Sequence, residues 1–409
     1  MRIFIVSLKK QRVLSDNLEF YRDFKCSYNY SLNVYFANSC KGGPPKMRIH
    51  NKSGKPMNIV VSENKLIEKC IQLENEMPDF LKDYFIFIKN SVSLSTRYAY
   101  LKDIHFFLDY LLMENPTMKS IRDIDADIIN NFTARDFNYF IGEYCTRYEI
   151  NRNGNRIIYE NHNRSLSRKK SSLLSLLKFL YRNEQISNNI IEGLNPIKTP
   201  KPQPDAIKKL TVDEAGKLID IVSTGKGMTD KELDFWRLTW QRDRLIILLF
   251  IIYGLRISEL QSLNISSFNL NRNEFKIYRK RGKEVDMPLD EKVKKFLVEY
   301  LETERKSSKV LEKDADALFL SRQGSRLTTR AIQNLIKKYT SIAMETSRSK
   351  GYSPHKLRAT AASSMIEFGF SIYDVQNLLD HDSVLTTQLY AAHRKNAKKE
   401  IIESLNWIK

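Results

Sequence analysis

Apolar residues recur every three or four positions along residues 93–112 and again along residues 167–184, which is the spacing of a helix with one buried face. In the first segment these positions are Leu94, Tyr98, Leu101, Ile104, Phe107 and Leu108. In the second they are Leu173, Leu174, Leu177 and Leu180. The second segment opens with the basic residues Arg168, Lys169 and Lys170. Residues 75–195 are therefore predicted to form a small helical domain with a basic face.

A proline-rich segment interrupts the helical pattern at residues 195–209. It reads NPIKTPKPQPDAIKK, and four prolines among lysines disfavour helix and favour an extended, solvated connector. Thr211 and Glu214 follow with the spacing of a capping box, which predicts the first turn of a new helix. We expect three parts on these grounds: a segment of uncertain structure at 1–70, a helical domain at 71–200 and a further domain at 207–409.

Strand-like alternation is confined to short stretches. Phe275 and Ile277 precede a basic turn that contains Gly282, and Val285 and Met287 follow it, which predicts a β-hairpin with a basic tip. Residues 149–163 indicate a polar hairpin or loop between helices. A hairpin is also conceivable at residues 47–63, turning at 53–56, although no structure is assigned to the first 65 residues. The expected fold class is mainly α with a small β-sheet or hairpin.

The charge of the chain narrows the class of partner. Lysine and arginine number 67 against 48 aspartates and glutamates, a formal net charge of +19. Such a field attracts a polyanion, which favours nucleic acid or an anionic membrane surface. The longest apolar run, residues 245–253, is far shorter than the roughly 20 residues that span a bilayer. We therefore expect a buried helix there, no membrane partner and a cytoplasmic location.

The cysteines do not suggest a metal site or a disulfide framework. Cys26, Cys40, Cys70 and Cys145 lie far apart without a CxxC pair, so reduced thiols are expected. The chain also contains no GxxxxGK[ST] phosphate-binding loop and no paired-carboxylate metal motif. Neither a metal nor a cofactor is expected.

Two segments could bind an anion. An apolar helix is predicted to end at Gly254 with a left-handed cap, and Arg256 and Glu259 stand at the start of the next helix. Farther on, SPHKLR predicts a helix beginning at Pro354, with His355 and Arg358 on one face of its opening turns. A helix N-terminus favours anions, and arginine can bind two oxygens at once. Taken singly, the Arg256 segment is better explained as an ordinary surface arginine after a core helix, and the SPHKLR segment is equally explained as a capped surface helix with incidental basic residues.

A third segment adds histidine and tyrosine. The helix predicted through Ile372, Val375, Leu378 and Leu379 breaks at His381, and a new helix from about residue 383 carries Tyr390. Three of the six histidines, His355, His381 and His393, lie in this last part of the chain. A single tyrosine on a helix is more often a core residue than a catalytic one.

Together, the four ordered boxes resemble the tyrosine recombinase and integrase family. The boxes are GLRISEL at 254–260, HKLR at 355–358, LLDH at 378–381, and a tyrosine nine residues after that histidine. The resemblance covers residues 207–395 and implies a mixed α+β catalytic domain. Residues 75–195 are similar to the family's helical core-type DNA-binding domain.

The resemblance implies a role for each matching residue. Arg256 and Arg358 would clamp the non-bridging oxygens of the scissile phosphate, and Tyr390 would attack it as the nucleophile. His381 would hydrogen-bond the phosphate and His355 would assist proton transfer. A phenol with a pKa of about 10 needs such cationic neighbours to become a nucleophile.

Further residues complete the implied site. Lys280 would protonate the departing 5′ oxygen, with Lys283 as the alternative because the turn differs from the usual GKGxK form. Glu259 matches an acidic position that supports the site. The basic residues expected to contact DNA are Arg97, Arg168, Lys169 and Lys170.

Two positions depart from the family pattern. The family usually has histidine where this chain has Ala359, and glycine where it has Asp380. Neither position supplies the nucleophile or a phosphate clamp. We expect altered helix packing rather than loss of activity.

The implied function is that of a site-specific recombinase, an integrase for integration or excision of a mobile element. The family's behaviour implies a homotetramer on double-stranded DNA, accessory DNA-bending or excision factors, and association with the nucleoid. The 1–70 segment is a candidate arm-type DNA-binding region, and residues 397–409 a tail donated to the neighbouring protomer. The alternatives are Xer-like chromosome resolution or inversion, a type IB topoisomerase, and a catalytically inactive DNA-binding protein.

Overall fold

A computed structural model describes residues 54–152, 154–200, 208–279 and 282–380 of the chain. The first group of elements comprises α1 (Met57–Glu76), α2 (Lys82–Ser91), α3 (Leu94–Glu114), α4 (Ala126–Asn130), α5 (Ala134–Tyr139), β1 (Arg147–Arg152), β2 (Asn155–Glu160) and α6 (Asn163–Arg182). The second group begins with α7 (Val212–Thr224), α8 (Asp230–Trp236), α9 (Trp240–Tyr253), α10 (Ile257–Ser262), β3 (Phe268–Asn269), β4 (Glu274–Tyr278) and β5 (Glu284–Pro288). It ends with α11 (Glu291–Tyr300), α12 (Thr329–Ala343), α13 (Pro354–Glu367) and α14 (Ile372–Leu379). The fold is therefore mainly helical with small antiparallel sheets, which confirms the expected fold class.

The first group of helices packs around an aromatic and aliphatic core. The Phe107 ring on α3 lies 5.0 Å from that of Phe137 and 5.1 Å from that of Phe140. Leu173, Leu177 and neighbouring residues on α6 close the other side. Each fully buried leucine or phenylalanine contributes about 1.5–3 kcal/mol through the hydrophobic effect. The helices predicted at 93–112 and 167–184 are confirmed as α3 and as part of α6.

A second, larger hydrophobic core lies within residues 208–379. Six consecutive residues of α9, 245–250, are buried, so this helix has no solvent-facing side over that stretch. Around it pack α7, α11 and α13, and Tyr339 of α12 donates from its hydroxyl to Asp243 of α9 at 2.8 Å. The capping box predicted at Thr211 is present, with Glu214 accepting from the Thr211 N–H at 2.8 Å. The buried helix predicted from the apolar run is confirmed.

Both predicted hairpins are present. β1 pairs with β2, with Tyr148 opposite Tyr159, which settles the polar segment at 149–163 as a hairpin. β4 pairs with β5, with Phe275 opposite Met287, and β3 adds a short third strand. The tip of the β4–β5 hairpin, residues 280 and 281, lies outside the described residues.

The hairpin considered for residues 47–63 is wrong from residue 57 onward. Residues 57–76 form the five-turn helix α1, which begins after Pro56 and buries Cys70. Proline before a helix fits because its ring sets a backbone angle compatible with a helical start. The expected domain boundary at residue 70 falls inside α1. Asn58, in the first turn of α1, donates to the carbonyl oxygen of Ser262 at 3.1 Å.

The connector and the cysteines are partly described. Residues 194–200 form neither helix nor strand, and residues 201–207 lie outside the described part. Cys70 and Cys145 are buried free thiols, whereas Cys26 and Cys40 are not described. In the ranges that the structure covers, no helix is both long and apolar enough to cross a bilayer.

Candidate active site

Three arginines converge on the C-terminal end of α14. Arg279 donates from Nη2 to the carbonyl oxygen of Leu378 at 2.5 Å, and Arg256 donates from Nη2 to that of Asp380 at 2.5 Å. Between them, Arg358 donates from Nη2 to the carbonyl oxygen of Leu379. The last carbonyls of a helix lack intrahelical partners and carry partial negative charge, so cations are favoured there. The end of one short helix thus gathers guanidinium groups from three distant parts of the chain.

Gly254 allows this close packing. It ends α9 in the predicted left-handed conformation, with φ 59°, and a Cβ here would stand 2.6 Å from Cδ2 of Leu379. Its carbonyl oxygen accepts from Nη1 of Arg358 at 2.6 Å. Arg256 follows two residues later, in the extended conformation that begins α10. The glycine therefore brings the Arg256 and Arg358 segments against α14.

Glu259 orients Arg256. Its carboxylate accepts from the Arg256 main-chain N–H at 2.8 Å and from Nη1 at 2.9 Å, and the residue is 1% exposed. Nε of Arg279 lies 4.0 Å from the same carboxylate. The two bonds hold both the backbone and the guanidinium of Arg256. This placement suits the supporting role predicted for Glu259, which stays a prediction.

Asp380 lies among these cations. Lys283 donates from Nζ to Oδ1 of Asp380 at 3.2 Å, and guanidinium nitrogens of Arg279 and Arg256 lie 3.7 and 3.6 Å from the carboxylate. Burial by itself raises the pKa of Asp380, but the Lys283 hydrogen bond and the nearby positive charges outweigh it and lower the pKa below its usual value. Asp380 is therefore ionised at neutral pH.

Arg279 and His355 have lowered pKa values. Burial lowers the pKa of Arg279 more than the charges of Glu259 and Asp380 raise it. His355 lies in the first turn of α13, which begins at Pro354 as predicted. The residue is exposed, yet partial desolvation and the charge of Arg358 lower its pKa, which favours the neutral ring at pH 7. A neutral imidazole can accept a proton.

The predicted site residues are thus partly assembled. The structure brings Arg256, Glu259 and Arg358 together at the end of α14. Lys283 joins them by donating a hydrogen bond to Asp380. The remaining predicted residues, Lys280, His381 and Tyr390, lie outside the described part of the chain. The choice between Lys280 and Lys283 stays open, and the catalytic role of each residue stays a prediction.

The departure at Ala359 has a packing explanation. Ala359 is 4% exposed and belongs to a small apolar cluster with Ala362, Val375 and Leu379, where α13 meets α14. A histidine here would need more space than this contact leaves. Within the described ranges, no group of three or more histidine, cysteine or carboxylate side chains is placed to hold a metal ion.

Sequence reasoning missed two cationic residues. Arg279 directly follows β4 and is 8% exposed, and the basic hairpin turn was the local signal for it. Lys55 precedes α1, and its Cε would lie 2.6 Å from a Cβ added at Gly282, so it lies against Gly282 of the β4–β5 turn. Lys55 also donates to Glu63 at 2.7 Å. No local pattern could indicate a contact between residues so far apart.

Two of the four residues expected to contact DNA are buried. Arg97 forms a two-pronged ion pair with Glu74, at 2.6 and 2.8 Å from Nη2. Lys169 lies 4.2 Å above the Phe106 ring and 3.6 Å from Asp103. These positions differ from the solvent-facing placement expected for them, because each cation meets an internal carboxylate.

The other two basic residues are more accessible. The Arg168 side chain is 47% exposed and pairs with Asp103. Lys170 donates to the carbonyl oxygen of Asn195 at 2.5 Å. Their contact with DNA stays a prediction.

Comparison with known proteins identifies related sequences. Residues 208–397 match the model of the phage integrase family. Tyrosine recombinase XerC of Thermodesulfovibrio yellowstonii is 32% identical over 228 residues, which cover 55% of this chain and 70% of the relative. Tyrosine recombinase XerC of Oceanobacillus iheyensis is 29% identical over 332 residues, covering 80% of this chain and 95% of the relative.

Solved structures share the fold. The XerH site-specific recombinase bound to palindromic difH substrate has a TM-score of 0.55 at 20% identity, covering 87% of this chain and 90% of that one. The Tn1549 transposon integrase in complex with a circular intermediate DNA has a TM-score of 0.53 at 18% identity, covering 82% of this chain and 99% of that one. The family match and the XerC relatives agree with the four ordered sequence boxes. The chain belongs to the tyrosine recombinase and phage integrase family, whose members cleave and rejoin DNA through a tyrosine intermediate.

Proposed function

We propose that this protein is a site-specific recombinase that binds double-stranded DNA and uses Tyr390 to cleave and rejoin it during integration or excision of a mobile element. The observation that carries the proposal is the convergence of Arg256 and Arg358 on the last carbonyls of α14. His381 follows that helix end directly in the chain. A phosphate bound by the two guanidinium groups would therefore lie next to the third sequence box.

The chemistry follows from these positions. The Tyr390 hydroxyl passes its proton to the neutral imidazole of His355 and its oxygen attacks the scissile phosphorus. A 3′-phosphotyrosine bond forms and the bond to the 5′ oxygen breaks. Negative charge grows on the non-bridging oxygens, and two fixed guanidinium groups stabilise it. Lys280 or Lys283 supplies the proton to the departing oxygen. Rejoining reverses the steps, because the phosphotyrosine retains the energy of the broken phosphodiester.

Support for the DNA partner comes from charge and from the related structures. The net charge of +19 favours a polyanion, and XerH and the Tn1549 integrase are described as bound to DNA. The proposal includes a homotetramer on paired sites, accessory DNA-bending or excision factors, and a cytoplasmic, nucleoid-associated location.

Chromosome resolution is the second candidate. The XerC and XerD relatives of Oceanobacillus iheyensis match over 80% and 81% of this chain, which favours a Xer-like role. The Tn1549 transposon integrase favours the mobile-element role. Both roles use the same strand chemistry, so the first experiment addresses that chemistry.

The test traps the covalent intermediate. Full-length protein is incubated with a library of nicked duplexes that carry randomised inverted-repeat core sites, and adducts are resolved on a denaturing gel. We expect an adduct with the wild type and with Tyr373→Phe, a matched control on the exposed face of α14. Tyr390→Phe should give none. A wild type that forms no adduct, or an adduct that persists in Tyr390→Phe, contradicts the proposal.

A topological control separates recombinase from topoisomerase. A supercoiled plasmid without any recovered core site is incubated with the wild type. A recombinase should leave it supercoiled, because cleavage requires protein assembled on paired sites. Efficient relaxation would favour a type IB topoisomerase.

A further inference from the structure

Asp380 presents both carboxylate oxygens to cations of the candidate site. Oδ1 lies 3.2 Å from Nζ of Lys283 and 3.7 Å from Nη1 of Arg279, while Oδ2 lies 3.6 Å from Nη1 of Arg256. The side chain is 26% exposed, so solvent reaches the group without surrounding it. One carboxylate is thus shared by cations from the start of α10 and from the β4–β5 hairpin.

The backbone of Asp380 makes this placement specific. The residue has φ 51° and ψ 55°, the left-handed conformation that glycine adopts most readily and aspartate tolerates. Its main-chain oxygen already accepts from Arg256. Glycine here could provide that carbonyl but not the carboxylate. The aspartate therefore adds a negative charge that ending the helix does not require.

The carboxylate resembles a phosphodiester in the way it meets these cations. Both groups offer two oxygens that accept charged hydrogen bonds from arginine and lysine. In Asp380 the two oxygens face different guanidinium groups, as two non-bridging phosphate oxygens would. Asp380 is also accessible enough to be replaced by an incoming anion.

We propose that Asp380 is an internal counter-ion, whose carboxylate occupies an anion position beside Arg256 in the DNA-free protein and yields it to the scissile phosphate. The inference rests on the proposed function, because it takes Arg256 as a ligand of that phosphate. Release of Asp380 also frees Lys283, whose Nζ lies 3.2 Å from its carboxylate. The consequence is competition: an anion binds to Arg256 and its neighbours only as far as it displaces Asp380.

The experiment measures anion binding without DNA. Wild type, Asp380→Asn and Asp286→Asn are titrated with inorganic phosphate at constant ionic strength, and the rise in Tm is followed. Asparagine suits the left-handed backbone and removes only the charge. We expect the phosphate concentration for half-maximal stabilisation to fall about five-fold in Asp380→Asn, the scale of one partly exposed ion pair.

Asp286 is the matched control, because it is an exposed carboxylate on β5 of the same hairpin. Asp286→Asn changes net charge equally and should titrate like the wild type. An Asp380→Asn midpoint equal to or above that of the wild type overturns the inference, as does an equal decrease in both variants. If Asp380→Asn fails to fold by circular dichroism, Asp380→Gly is titrated in its place.

The adduct assay on the same preparations separates the two proposals. A wild-type adduct together with an unchanged phosphate midpoint in Asp380→Asn refutes the counter-ion and leaves the recombinase proposal standing. A five-fold lower midpoint without any Tyr390-dependent adduct refutes the recombinase proposal, while the carboxylate still competes with anions.

Discussion

Glu259 is a carboxylate with almost no solvent contact that binds both the main chain and the side chain of Arg256. At the scale of single residues, this pair shows how the site holds a cation in place. An arginine fixed at two points loses less freedom when it binds an anion. The nearby Arg279, at 4.0 Å, shares the same carboxylate. Removing Glu259 would take away a carboxylate that lies within 4.0 Å of both the Arg256 and the Arg279 guanidinium groups.

We therefore expect Glu259→Ala to lower the free energy of unfolding by about 3 kcal/mol, the cost of breaking a buried ion pair. It should also slow adduct formation by Tyr390, because Arg256 loses its orientation. Glu259→Gln should cost less, since its amide oxygen can still accept from the Arg256 N–H. Urea denaturation and the adduct assay measure the two effects.

Asp234→Ala is the control for this prediction. It breaks an exposed pair with Arg237 and should change stability by less than about 1 kcal/mol. Equal decreases in the free energy of unfolding of Glu259→Ala and Asp234→Ala would show that the buried pair stabilises the fold no more than the exposed one.

At the scale of elements, the end of α11 supports the start of α9. A turn at Leu301–Arg305 continues α11, and Glu304 in it accepts from the main-chain N–H groups of Gln241 and Arg242 at 3.1 and 3.2 Å. These N–H groups belong to the first turn of α9, where no intrahelical acceptor exists. Burial raises the pKa of Glu304 to about 7, although the N–H groups and Arg242 partly oppose the shift. The free energy of unfolding should therefore depend on the protonation of Glu304 and hence on pH.

The sign of this linkage is fixed by the two protonation states. Between pH 4.5 and 7 the unfolded chain has released a proton that folded Glu304 retains, so rising pH lowers stability across this window. We expect the free energy of unfolding of the wild type to fall by about 1–3 kcal/mol between pH 5 and pH 7.5. Glu304→Gln should not show this fall. Urea denaturation at several pH values measures it. Glu302 is exposed on the same turn, and Glu302→Gln should keep the wild-type pH profile. A wild-type pH profile in Glu304→Gln would contradict the raised pKa of Glu304.

At the scale of the whole molecule, the net charge of +19 is unevenly available to DNA. Some basic residues are held in ion pairs with little solvent exposure, as Arg97 is with Glu74, and cannot reach DNA phosphates. Other cations, such as Arg168, remain half exposed although they pair with a carboxylate. Counterion release depends only on charges that reach phosphates. Burial therefore decides which basic residues contribute to DNA binding.

We expect Arg168→Ala to reduce the slope of log K against log salt concentration by about one, the effect of one lost phosphate contact. Arg97→Ala should leave the slope unchanged and lower the free energy of unfolding by about 2 kcal/mol, because half-buried Glu74 loses its partner. Fluorescence anisotropy with a non-cognate duplex measures the slopes. A slope that falls in Arg97→Ala but not in Arg168→Ala would reverse this assignment.

Much of the fold could be predicted from the sequence because its signals are local. The three- and four-residue spacing indicated α3 and α6, the Thr211 capping box marked α7, and Gly254 marked the end of α9. Alternation around a basic turn indicated the β4–β5 hairpin. Helix α1 was missed because Gly54 and Pro56 suggest a turn, while Pro56 in fact precedes the first helical turn.

The sequence by itself determined which residue types lie in the four boxes, and hence the family and its tyrosine chemistry. Only the tertiary structure decided where the charges meet: Arg279 joined the site, Arg97 and Lys169 became buried, and Asp380 came to lie beside Arg256, Arg279 and Lys283. The physical reason is range. Helical periodicity and caps act over a few residues, whereas ion pairs such as Arg256 with Asp380 join residues far apart in the chain and exist only once packing brings them together.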